Sequence, residues 1–184
     1  MNVSGDRVFD APRATVWQVL NDPESMAKTM PGVESFDVHD DRHWTANVKI
    51  PLGLGGLKMK VDMEKIEERE PEFAKLAVKG NGVGAIMNME TSFTLSDADT
   101  GGTSMAWSAE VKILGPVGSM GQRVLQPIVN QQVQHVLAAL DAQVQEAAGG
   151  SAGPAARGAE EGISPGSPEA YEADPEGPTT STED

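Results

Sequence analysis

The sequence predicts an α+β fold in which a strongly curved antiparallel sheet of about seven strands wraps a long C-terminal helix, with two short helices after the first strand. Three observations carry this reading. Between His43 and Ile113, five segments alternate apolar and polar residues with period two. From Val117 to Val144 the apolar positions recur instead at helical spacing. Turn-forming residues separate the strand segments at Gly53 to Gly56, Glu70-Pro71, Gly80 to Gly84 and Asp97 to Gly102.

The elements follow in order. Asn2 to Asp10 reads as a first strand. Ala11-Pro12 opens a helix, with Asp10 the expected N-cap and proline at an early helical position. Val16, Trp17 and Leu20 share a face of that helix, and Asp22-Pro23 ends it and starts another that stops near Met30-Pro31-Gly32. In the strand from His43 to Ile50, Trp44, Ala46, Val48 and Ile50 oppose Thr45, Asn47 and Lys49. Leu57, Met59, Val61 and Met63 alternate with lysines and carboxylates up to Glu64. Ala74, Leu76 and Val78 mark the dry face of the segment Phe73 to Gly80. Met87, Met89, Phe93 and Leu95 do so for Ala85 to Leu95, and Met105, Trp107, Ala109, Val111 and Ile113 for Thr103 to Ile113. One wet and one dry face per strand predicts an antiparallel sheet covered on one side. The closing helix, between Pro116 and Ala148, carries Val117, Met120, Val124, Leu125, Ile128, Val129, Val136, Leu137, Leu140 and Val144 at helical spacing; Pro127 either kinks it or starts its main part. This is a helix-grip arrangement, and the wedge between a bent sheet and a single helix is a place for a ligand cavity.

Composition bounds the function. The 184 residues fit one domain, at 1–148, plus an appendage at 149–184. The appendage is rich in Gly, Pro, Ser and Glu, with Ile163 and Tyr171 its only large apolar residues, and is expected to be disordered. Its eight carboxylates against Arg157 account for half of the net charge of −14. An acidic chain without a basic stripe argues against nucleic acid as a partner and against attraction to anionic lipid headgroups. The absence of cysteine excludes disulfides, Cys-ligated zinc, iron–sulfur clusters and thiol catalysis. The opening MNVSGDRVFDAPR lacks the apolar stretch of a leader, and no run approaches the ~20 apolar residues of a membrane span, so a cytoplasmic location is expected.

No catalytic constellation stands out, so no catalytic or metal-binding residue is assigned. His39 and His43 flank Asp40-Asp41-Arg42 in a polar turn, and neither a Ser-His-Asp arrangement nor an HExxH motif is present. Gly53-Leu54-Gly55-Gly56 precedes a strand, whereas a phosphate loop precedes a helix. The methionines are more telling. Met59, Met63, Met87, Met89 and Met105 take dry-face positions on neighbouring strands, and Met26, Met30 and Met120 come from the covering elements. They either fill an irregular core or line a deformable pocket for a long apolar or aromatic ligand. The candidate cavity residues are Met59, Val61, Met63, Met87, Met89, Phe93, Met105, Trp107, Val124, Leu125, Ile128, Val129 and Gln132. Trp107 and Phe93 are placed to stack on a ring. His135, if it faces inward, would donate a hydrogen bond to a carbonyl or quinone oxygen.

The segment FDAPRATVWQVLNDPESMAKTMPGVESFD at 9–37 resembles the opening of the carbon monoxide dehydrogenase G-subunit family, within the SRPBCC (START-related) superfamily. VKIPLGLGGLKMKV at 48–61, the Glu70-Pro71 turn, GGTSMAWSAEVKILGPVGSMGQRVL at 101–125 and the closing helix fit the same pattern. Val16, Trp17, Leu20, Asp22, Pro23, Pro31 and Gly32 form its most specific element and mark lineage, not chemistry. The resemblance, over about residues 2–148, implies a partner to carbon monoxide dehydrogenase or a related molybdenum hydroxylase, and coupling of that enzyme to the membrane quinone pool. The cavity would suit menaquinone or a similar isoprenoid quinone, and the protein would work at the inner face of the cytoplasmic membrane. Some relatives carry a hydrophobic C-terminal anchor; the acidic tail here departs from them and favours transient membrane contact.

Three expectations follow. The first is a non-enzymatic carrier of a hydrophobic small molecule beside the dehydrogenase. The second is a docking or assembly factor that holds no ligand. The third is a cyclase-like enzyme, which would need a polar cluster deep in the pocket, such as His135 with Gln131 or Gln132.

Overall fold

The first strand, β1 (Asn2–Phe9), leads into α1 (Arg13–Asn21) and α2 (Pro23–Thr29). Six strands follow: β2 (Val33–Val38), β3 (His43–Ile50), β4 (Leu57–Arg69), β5 (Phe73–Gly82), β6 (Ala85–Asp97) and β7 (Thr103–Leu114). A 3-10 turn at Gly118–Met120 precedes α3 (Gln122–Arg157). This computed structural model describes residues 1–52 and 55–157, with side chains up to 149. Met1–Ala152 form one compact unit and Gly153–Asp184 a second, of which the helical backbone to Arg157 is described. The helix α3 runs on past residue 148, to Arg157. The rest of the expected disordered tail, 158–184, lies outside the described residues, as do Gly53 and Leu54 of the glycine-rich turn.

All seven strands join one antiparallel sheet in the order β1-β7-β6-β5-β4-β3-β2. The five strand segments read from periodicity are present, and β4 and β6 extend farther than the alternation indicated, to Arg69 and Asp97. Register shifts between Val33 and Ser35 and between Lys65 and Glu67 help to curve the sheet. Two glycines on the inner face make room for large neighbours. A Cβ at Gly5 would press on the indole of its register partner Trp107, and one at Gly80 would strike Met59 and Met87.

The cap of α1 differs from expectation. Pro12, not Asp10, holds the N-cap, and its carbonyl accepts from the N–H groups of Thr15 and Val16 at 3.0 and 3.1 Å. Asp22 does cap α2, its carboxylate accepting from Ser25 N at 2.8 Å. Val16, Trp17 and Val19 of α1 pack with Leu137, Leu140 and Val144 of α3, Phe9 and Leu95 into one core cluster. A second cluster gathers Trp44, Ala46, Val48, Met59, Val61, Met63, Val78 and Ala85 on β3 to β6. Arg7 of β1 forms an ion pair with Asp141 of α3, tying the helix to the sheet edge.

Candidate ligand-binding site

Between the two core clusters the interior is hollow. A cavity of about 430 Å³ lies between the inner face of the sheet and α3, closed on one flank by α2. Period two places its sheet wall: Met59, Val61 and Met63 on β4, Met87, Met89 and Phe93 on β6, and Met105, Trp107, Ala109 and Val111 on β7. Period 3.6 places its other wall, with Leu125, Ile128, Val129, Gln132 and Val136 on α3. Met26, Thr29 and Met30 reach in from α2 and its C-terminal end. The methionines thus line a void and do not fill the core solidly.

Twelve of the thirteen candidate cavity residues line this space; the exception is Val124. Val124, Gln131 and His135 lie at i, i+7 and i+11 of α3, hence on one helical face, and all three are exposed. The polar contact expected from His135 is therefore not available, and neither is a cluster of His135 with Gln131. Met120, on the 3-10 turn, is likewise exposed and outside the cavity. Val3, Val19, Thr29, Pro31, Thr91 and Val117 also line it and were not among the candidate cavity residues. Val3 could have been found from its alternation with polar neighbours on β1.

The wall is apolar but for a few groups, and two of those are unsatisfied. The indole Nε1 of Trp107 and the amide Nε2 of Gln132 are both buried without a hydrogen-bond partner. An N–H donor left unpaired in an apolar site costs about 1–3 kcal/mol. One of these donors comes from the sheet and one from the helix, each on a residue that lines the cavity. Phe93 meets Trp17 edge to face, with ring centroids 5.9 Å apart. No carboxylate, imidazole, amine or thiol belongs to the described lining.

The polar features elsewhere are structural. Lys65, 6% exposed, continues the inner face of β4; it pairs with Glu68 at 2.9 Å and lies 5.8 Å from the centroid of the Trp44 ring. Trp44 Nε1 also lacks a partner but is outside the cavity. His39 meets the Thr45 hydroxyl at 2.7 Å, and His43 meets Asp40 at 2.9 Å in the exposed turn. Among the described residues no group of acidic or histidine side chains could hold a metal ion. A second groove, of about 630 Å³, runs along the surface between α1 and the β4–β5 turn. It mixes Trp17 and Pro71 with Asp22, Glu68 and Glu70 and has the character of an open surface furrow.

A seven-stranded antiparallel sheet gripping a long helix around an apolar cavity defines a helix-grip, START-like type of fold. The fold recurs in a conserved protein from Geobacillus kaustophilus, with a TM-score of 0.74 at 20% identity over 79% of this chain and 96% of that one. It recurs in a START superfamily protein from Mycobacterium smegmatis, with a TM-score of 0.62 at 14% identity over 79% and 97%. A protein from Thermus thermophilus gives a TM-score of 0.60 at 16% identity over 80% and 99%. No curated protein matches the chain. The family model of the carbon monoxide dehydrogenase G subunit (CoxG) matches residues 5–145, and the chain belongs to that family.

Proposed function

We propose that this protein is a non-enzymatic carrier of an isoprenoid quinone, menaquinone or a close relative, serving a carbon monoxide dehydrogenase-type molybdenum hydroxylase. The observation that supports it most is the apolar cavity itself, with the unpartnered donors of Trp107 and Gln132 on residues of its wall. A quinone has the matching chemistry: a flat apolar ring with carbonyl acceptors, and an apolar chain behind it. A volume of 430 Å³ accommodates about twenty non-hydrogen atoms, enough for a naphthoquinone ring and the first one or two isoprenoid units. Burying a few hundred Å² of such a ligand is worth ~8 kcal/mol before association costs. The family match supports the choice of partner enzyme. The lack of an acid, base or strong nucleophile in the described lining favours a carrier over a cyclase-like enzyme.

On this reading the protein takes quinone from the inner face of the cytoplasmic membrane by transient contact. Among the described residues no helix is long and apolar enough to cross a bilayer. The test is extraction. The full chain is incubated with menaquinone-loaded vesicles, separated from them, and its organic extract assayed for quinone. About one quinone per chain is expected, and protein that stays empty overturns the proposal. In that case a docking or assembly role remains, and pull-down of the dehydrogenase by the empty protein would identify it.

A further inference from the structure

Eight large apolar side chains are exposed among the described residues, and five of them gather at one end of the molecule: Val83, Ile86, Leu114, Met120 and Val124. Ile86 and Leu114 are register partners on β6 and β7. Val83, 94% exposed, tips the β5–β6 turn, and the carbonyl of its neighbour Gly84 accepts from Val117 N at 2.9 Å. Val117 leads into the 3-10 turn that carries Met120, and the first turn of α3 adds Val124.

The cavity reaches this same end. Its lining there includes Ile50, Leu57 and Val117, all only partly buried at strand ends and the β7–α3 connection. The opposite end is solid, with Val16, Leu95 and Val144 no more than 2% exposed. The outer sheet face behind the apolar rim is basic. Lys49 and Lys58 are register partners, Lys60 follows on β4, and Lys112 stands one residue inward of Ile113 on β7. Two of these cations have carboxylate neighbours, Lys58 with Glu34 at 3.6 Å and Lys112 with Glu110 at 3.2 Å. The β4–β5 and β6–β7 turns at the far end instead carry Glu70, Glu72, Asp97 and Asp99. The far end also carries Arg13, paired with Glu72 and Asp97, and Arg69, paired with Glu67, but carboxylates outnumber cations there, whereas lysines predominate beside the apolar end, a local balance that the overall acidity hides.

We infer that this rim is the surface by which the protein docks on an anionic lipid bilayer, with Val83, Leu114 and Met120 entering the headgroup layer and the lysines meeting lipid phosphates. The inference rests on the carrier reading, since a ligand sparingly soluble in water must enter where the cavity meets the membrane. Apolar tips beside a lysine-rich sheet face match an anionic interface in both terms of the binding energy.

The test is co-sedimentation of the full chain with quinone-free phosphatidylcholine vesicles, with and without phosphatidylglycerol. Binding is expected only with phosphatidylglycerol and should fall as salt is raised. Val83→Asp should weaken it about tenfold or more, and Lys49→Glu by about fivefold or more. Val8→Asp, at an exposed site at the other end of the sheet, should leave it unchanged. Thermal unfolding of each variant verifies the fold. Wild-type protein that ignores anionic vesicles overturns the inference, as does Val83→Asp binding like wild type. Loss of dehydrogenase capture with vesicle binding intact would make the rim a protein interface and overturn it too. Because sedimentation is read without quinone, and quinone content is assayed separately, failure here is distinguishable from failure of the carrier reading.

Discussion

Ala109 stands on the inner face of β7, between Trp107 and Val111, with Val3 and Thr91 as its register partners, and its methyl group borders the cavity. Replacing it with tryptophan adds roughly 140 Å³ of side chain directed into empty space, about a third of the 430 Å³ present. Because the new ring enters a void and not packed core, the usual overpacking cost of ~1–3 kcal/mol should be largely avoided, and stability should stay within about 1 kcal/mol of wild type. The ligand loses room for about seven non-hydrogen atoms. At ~0.8 kcal/mol per buried methylene, that removes about 5.6 kcal/mol of binding, a loss of about ten-thousandfold in affinity. The assay is titration with a short-chain naphthoquinone, followed by intrinsic tryptophan fluorescence and verified by extraction, with thermal unfolding as the control. Ala109→Trp protein that is folded and binds quinone as tightly as wild type would refute the assignment of this cavity as the ligand site.

Trp107→Phe keeps an aromatic ring against Gly5 but removes the N–H. Affinity for a naphthoquinone should fall about fivefold to tenfold, while affinity for a hydrocarbon of similar shape stays the same, as calorimetry would measure. Gln132→Met replaces an unpaired donor with an apolar side chain of similar length. The empty protein should gain about 1 kcal/mol against denaturant while quinone binding weakens, a change of opposite sign in the two measurements. In the β2–β3 turn, the hydrogen bond and charge of Asp40 raise the pKa of His43 above the ordinary 6.5. The Arg42 backbone N–H and then the His43 side chain lower that of Asp40 below 3.8. Stability from the raised His43 is present at low pH and lost as pH rises through its folded pKa; that from the lowered Asp40 is lost as pH falls through its own. The pair therefore contributes between those limits, and Asp40→Asn should return the His43 titration seen by NMR toward 6.5 without altering quinone binding.

Most of the fold was legible because each inner strand buries one face, so the core writes its period directly into residues such as Met59, Val61 and Met63. The edge strand β2 was not separately legible, since only Val33 and Phe36 of its six residues are partly buried. The sheet side of the cavity followed from the same alternation. The helix side was harder, because a stripe read at helical spacing is ambiguous at its margins. Val124 and Leu125 are adjacent, yet one is 44% exposed and the other 5%. His135 drew attention for its chemistry, whereas the phase of α3 turns Gln132 inward in its place. The unpaired state of Trp107 and Gln132 could not be read from sequence at all, because it depends on what the opposite wall fails to offer. Lys65 escaped notice for a related reason: its place in the interior depends on Glu68, brought near across the irregularity after Lys65.

The most direct measurement is native mass spectrometry of the full chain purified without detergent from its own host, with an organic extract of the same sample. A bound species with the mass of an isoprenoid quinone is predicted, and it should be lost in Ala109→Trp. Wild-type protein that flies empty, and whose extract holds no quinone, would contradict the carrier role.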